Sequence, residues 1–216
     1  MPKRALMNKR PYLLGSLALA VLAWLAPPQI LPGLFGLLVQ LGSIVLLGIY
    51  AWHWSDAQPA RLVAAAAMLS AASMLFWTIS GQIAQLLFLA ALFCTLGLFL
   101  QERRTSLSEL DKGVATVLTI GPAVLAMLFG GLEPAIAALL IGGVSAAAWA
   151  GNFPRWRVVP GALMLVIAYL LPFILPVTIE TARTYALLHW PLVYVGHFMI
   201  ATGVVQRYIR DRPRAA

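Results

Sequence analysis

Long apolar stretches separated by short polar breaks run the length of this chain. A bilayer core about 30 Å thick is crossed by about 20 apolar residues in a helix, within a range of about 17–25. Eight stretches approach that length, at residues 12–26, 30–52, 62–79, 83–100, 114–130, 134–151, 159–176 and 184–205. They predict an all-α fold, a polytopic transmembrane bundle of eight spans forming one integral membrane domain over residues 1–216. The first stretch is the shortest.

The polar breaks test this count. Lys and Arg favour the cytoplasmic side in short loops. With eight spans, the N-terminus, the even-numbered loops and the C-terminus share one side. That side holds Lys3, Arg4, Lys9, Arg10, Arg61, Arg103, Arg104, Lys112, Arg155, Arg157, Arg207, Arg210, Arg212 and Arg214, which is 14 of the 15 basic residues. The other side holds Arg183 alone. A wrong count would scramble this asymmetry, so both termini are expected to be cytoplasmic. One alternative stays open at the start of the chain. Basic residues followed by 12–26 also fit a cleaved signal peptide with Ala18-Leu19-Ala20 as its small-residue site. The tight connection begun by Pro27-Pro28 favours a retained helix.

Composition narrows the class. The chain is 62% hydrophobic and 10% charged, with a mean hydropathy of +0.89. Soluble domains are about 25% charged, so a soluble enzyme, a disordered chain and a disulfide scaffold are excluded. The net charge of +8 comes from residues at span ends and forms no long stripe, so membrane lipids, not nucleic acid, are the expected partners. The single cysteine, Cys94, excludes an intrachain disulfide and a two-cysteine zinc site. The Ala-rich third stretch (Ala64–Ala67, Ser70–Ser73) reads as close helix packing. Loop 101–113 has mixed charge and reads as a solvated loop, with Ser108 followed by Asp111 as a helix N-cap signal for the fifth span.

The candidate chemistry is sparse. The seven carboxylates, Asp56, Glu102, Glu109, Asp111, Glu133, Glu180 and Asp211, all fall in loops, tails or membrane edges, and no Lys or Arg lies mid-span. Intramembrane ionisable groups mark proton relays and ion pathways, and their lack argues against a proton-coupled pump or a retinal protein. His53, between Trp52 and Trp54, reads as an interfacial belt residue. Eight residues at about 100° each leave His189 and His197 about 80° apart around the last span and about 12 Å apart along it, too far for one metal ion. Pro191 between them predicts a kink. No Gly-rich phosphate loop, His-Glu-x-x-His or Gly-x-Ser-x-Gly occurs. No cofactor and no metal are therefore expected. The extracytoplasmic edge collects Glu133, Glu180, Arg183, Tyr185 and His189. Its bland reading is a solvated loop with an interfacial tyrosine. Its functional reading is an amphiphile site, with Arg183 near a phosphate and Glu180 or His189 handling protons. Gln82 and Gln85 are expected to face the bundle interior or the interface, because an unpaired amide in hydrocarbon costs several kcal/mol, on the order of 2–7.

The eight-span pattern and three segments, 62–77 (LVAAAAMLSAASMLFW), 84–100 (AQLLFLAALFCTLGLFL) and 194–208 (YVGHFMIATGVVQRY), resemble the lysoplasmalogenase-like membrane family. The resemblance implies hydrolysis of the vinyl ether of lysoplasmalogens, releasing an aldehyde and a glycerophospho-alcohol. Protonating an enol ether and adding water suits paired carboxylates, and the family shows Gly-Asp at the third span and Ser-Asp at the sixth. This chain has Ser73-Met74 and Gly151-Asn152 at those places, and neither Met74 nor Asn152 is an acid or base. His197 stands where the family has a polar residue in its last helix. The resemblance thus implies a lipid-directed hydrolase or lipid binder, with His197, His189 and Glu180 as candidate catalytic residues and Arg183, Asn152, Gln82 and Gln85 as candidate substrate contacts. The alternative is a non-catalytic membrane subunit or a small-molecule transporter. The Ala/Leu/Arg-rich composition suggests a bacterial inner membrane.

Overall fold

A computed structural model describes residues 10–26, 33–54, 58–175, 178 and 181–210. Among these residues the chain is almost wholly helical: α1 Arg10–Leu25, α2 Leu34–Trp54, α3 Gln58–Phe76, α4 Gly81–Gln101, α5 Glu109–Gly130, α6 Leu132–Ala150, α7 Arg155–Ile174 and α8 Ala182–Arg210. Seven are long and apolar enough to cross a membrane. The exception is α1, whose 16 residues extend about 24 Å at 1.5 Å per residue, short of a bilayer core of about 30 Å. Several helices start before the apolar stretches do. Hydropathy registers only the buried length of a helix, whereas polar first turns are helical too. Thus α3 begins at Gln58-Pro59, proline being tolerated in a first turn where its missing N–H has no helical partner. Ser108 caps α5 as expected, its hydroxyl accepting the Asp111 N–H at 3.1 Å. Pro191 lies inside α8, which runs unbroken through it.

The helices group into two compact units, residues 1–94 with 204–216, and residues 95–203. In the first, α1 packs on α2 and α2 on α3. Ser16, fully buried, donates to the Ser43 carbonyl at 2.6 Å. Gly48 of α2 meets the Ala64 and Ala67 surface of α3, where Val63, Ala64, Ala66, Ala67 and Ala71 are buried. The small residues of α3 therefore serve packing, as their composition predicts. Ser73 closes the α3–α4 turn by donating to the Ala84 carbonyl at 2.8 Å.

In the second unit α6 is the central element. Ala137, Ala138, Ile141, Val144, Ala147 and Ala148 are among its buried residues. It packs extensively on α5 and also on α7. Gly142 lets α6 approach the α5 backbone, and the Tyr169 hydroxyl of α7 donates to the Pro134 carbonyl at 3.1 Å. The outer face of α5 is apolar and exposed at Val117, Ile120, Val124, Leu128 and Phe129, as a lipid-facing helix requires.

Candidate functional site

The predicted site residues fall in separate places. His197 is half-buried in α8, and its Nδ1 lies 2.8 Å from the Val193 carbonyl one turn back. His189 is also half-buried and stacks on Tyr185, with ring centroids 4.9 Å apart and planes 16° from parallel. That part of the expected edge cluster does come together. Glu133 is exposed in the first turn of α6. Glu180 and the Arg183 side chain lie outside the described residues. Gln82 is exposed in the first turn of α4 and Gln85 is half-buried one turn later, both in the first unit. Asn152 is exposed in the α6–α7 connection, beyond the last turn of α6. Met74 is half-buried near the end of α3. His53 is exposed at the end of α2 and stacks on Tyr12 at 5.5 Å. Among the described residues no three His, Cys, Asp or Glu side chains are placed to hold a metal ion.

Among the described residues, one connected polar constellation is announced by the sequence only in its Ser108–Asp111 half. It joins loop 101–113 to the α6–α7 connection in the second unit. An isolated antiparallel bridge pairs Arg103 with Gly151, and the Asn152 N–H donates to the Glu102 carbonyl at 2.9 Å. Phe99 and Phe153, both buried, pack edge to face beside it, with centroids 5.5 Å apart. The end of α6 leaves carbonyls without helical donors. Arg104 meets them, donating from Nη2 to the Trp149 carbonyl at 3.0 Å and from Nε to the Ala150 carbonyl at 3.3 Å. A cation there also suits the negative end of the helix dipole.

Asp111 is the hub. Its Oδ1 accepts the Trp149 indole N–H at 3.0 Å and Arg155 Nη2 at 3.2 Å. Its Oδ2 accepts Arg104 Nη1 at 3.4 Å. The Arg155 guanidinium also lies 4.9 Å from the centroid of the Trp149 ring. Most of segment 101–113 is exposed, as a solvated loop requires, and Asp111 is its buried exception. The exception has a physical cause, since one side chain gathers donors from α6 and α7 that are distant in sequence. Asp111 stands in the first turn of α5, before the apolar run that begins at Val114. Partial burial pushes its carboxyl up. Hydrogen bonding from Ser108 and the positive charges of Arg104 and Arg155 outweigh that push and hold the group below its ordinary value.

A carboxyl depressed in the folded state contributes stability above its unfolded value, about 3.9. That contribution is lost as pH falls through the lower folded value. Asp111→Asn is therefore expected to be less stable than wild type at neutral pH, with the gap closing below about pH 4. Thermal unfolding in detergent across this range measures it. A gap that does not change with pH would show that the charge of Asp111 plays no part. Chemically the cluster is a clamp: a carboxylate engaged by three side chains is not free to shuttle protons.

No family model, no curated protein and no solved structure matches this chain.

Proposed function

We propose that the chain is an integral membrane protein that binds a lipid amphiphile without hydrolysing it, as a divergent relative of the lysoplasmalogenase-like enzymes, placed in a bacterial inner membrane with both termini cytoplasmic. Membrane placement is supported by seven apolar helices of spanning length, and orientation by the basic residues gathered at alternate connections. The observation that carries the non-hydrolytic reading is Asn152. It stands where the resemblance calls for an acid, yet it is exposed beyond the end of α6, with its backbone N–H committed to Glu102. Enol-ether hydrolysis needs a proton donor beside the vinyl carbon. Met74 and Asn152 supply none, and Asp111 is held ionised within its clamp. His197 has Nδ1 turned to its own helix, which suits a packing role better than proton transfer.

The test uses the full chain purified in detergent with a 1-alkenyl lysophospholipid. The expected result is protection against thermal unfolding with no aldehyde released above the blank. His197→Asn, which keeps a donor and an acceptor, is expected to retain that protection. Aldehyde release abolished by His197→Asn would overturn the non-hydrolytic reading. Absence of protection would favour a transporter or a non-catalytic subunit. A reporter fused to the C-terminus is expected to give a cytoplasmic signal, and a periplasmic one would overturn the orientation.

A further inference from the structure

The clamp around Asp111 leaves an excess of positive charge at one end of the second unit. The segments it joins, loop 101–113 and the start of α7, carry five basic residues, Arg103, Arg104, Lys112, Arg155 and Arg157, against three acidic ones, Glu102, Glu109 and Asp111. Part of this charge is neutralised in place. Lys112 pairs with Glu109 at 2.6 Å, and Arg104 and Arg155 share Asp111. Arg103 and Arg157 are not in those pairs. Arg103 is exposed, held beside Gly151 by the antiparallel bridge. Arg157 lies over the Trp156 ring at 4.3 Å from its centroid, and Trp156 is 63% exposed. Trp156 and Arg157 stand in the first turn of α7, which contains no acidic residue.

An exposed tryptophan under an arginine, at the end of an apolar helix, is the composition of a headgroup-level anchor. A membrane surface rich in anionic lipid attracts such a basic cluster by about 1 kcal/mol per Lys or Arg. A guanidinium donates two parallel bonds to a phosphate, which a zwitterionic headgroup masks with its own ammonium. From this arrangement we infer that the surface formed by Arg103, Trp156 and Arg157 binds the headgroup of an anionic phospholipid at the membrane interface. The Asp111 clamp ties loop 101–113, which carries Arg103, to the first turn of α7, which carries Trp156 and Arg157. The inference shares only the membrane placement with the function proposed above. A chain that ignores the lysophospholipid yet answers to anionic lipid leaves this surface standing, and the reverse result overturns it alone.

The test measures thermal unfolding of the full chain in mixed micelles while the mole fraction of phosphatidylglycerol replaces phosphatidylcholine. Wild type is expected to be stabilised in a saturable way. In Arg103→Gln/Arg157→Gln the half-saturating mole fraction should rise by roughly 25-fold, about fivefold for each arginine. Lys112→Gln, whose ammonium is already paired with Glu109, should move it by less than about twofold. The baseline in pure phosphatidylcholine shows whether each variant is folded. Should the double variant start from a lower baseline, the single variants are compared by counting phosphatidylglycerol molecules retained in native mass spectrometry. Equal responses in Lys112→Gln and the arginine variants would reduce the effect to net charge and overturn the assigned surface. Stabilisation by inorganic phosphate alone, at the same free anion concentration, would make the ligand a soluble anion and overturn the lipid assignment.

Discussion

Gly142→Ala is expected to lower the stability of the folded chain by about 1–3 kcal/mol, whereas Gly143→Ala next to it should change nothing or add up to about 1 kcal/mol. The two positions are consecutive in α6 and have the same intrinsic preference. Their surroundings differ. A Cβ on Gly142 would lie 2.6 Å from the Leu118 carbonyl oxygen and 2.7 Å from that of Thr119, while one on Gly143 meets nothing within 4 Å. The obstruction is backbone and cannot rotate away as a side-chain end could. Pro122, four residues after Leu118, has no N–H to give, so the Leu118 carbonyl lacks its usual helical donor. The glycine Cα–H groups can come close to that exposed oxygen, a weak contact that recurs where helices cross. Relief of the clash requires α5 and α6 to move apart along the most extensively packed pair in the second unit. Chemical or thermal unfolding of the two alanine variants in detergent decides the matter. Equal losses at both positions would assign the effect to glycine flexibility and not to the crossing.

The spanning helices are legible in the sequence because hydrocarbon imposes a simple condition, about 20 apolar residues in succession. That condition places α2 to α8 within a few residues. The first helix is legible as a stretch, but its length is marginal in both sequence and structure, and its burial of Ser16 against Ser43 leaves no trace in hydropathy. The Asp111 clamp illustrates the other limit. Its local half was visible, since Ser108 and Asp111 have the spacing of an N-cap. Its distant half was not, because Trp149 and Arg155 lie 38 and 44 positions away. Basic residues in both loops satisfy the positive-inside pattern on either reading. Charge asymmetry therefore predicts a side of the membrane without revealing that two of those arginines share one carboxylate. Gln82 and Asn152 came out exposed for a related reason. A polar residue within a few positions of a helix end can reach water, so its presence there carries no demand for a partner.

Gly161→Val and Gly196→Val are each expected to cost about 1–3 kcal/mol, and the double variant should fall short of their sum by at least about 0.5 kcal/mol. Each glycine is what the other's side chain would strike. A Cβ on Gly161 lies 2.9 Å from the Gly196 carbonyl oxygen, and one on Gly196 lies 2.9 Å from that of Gly161. Seven residues beyond Gly196, Gly203 stands on the same side of α8, about 20° away around the helix and about 10 Å along it. A Cβ there would come within 2.6 Å of Val158 Cγ2 on α7. As the chain ascends α8 from 196 to 203 it descends α7 from 161 to 158, so the two helices run antiparallel along a seam of small residues. Once either valine has forced the helices apart, the second meets a space already opened, and the shortfall from additivity measures that shared displacement. Full additivity would mean that each valine is accommodated locally and that the seam does not act as a unit. The seam also sets the rotation of α8. His197 follows Gly196 directly, so a valine there should disturb the Nδ1 contact with Val193 while His197→Asn leaves the seam alone. Comparing the imidazole resonance in wild type and Gly161→Val, which touches α8 only through this crossing, separates the two: a shifted resonance is expected, and an unchanged one would show that His197 is positioned by its own helix alone.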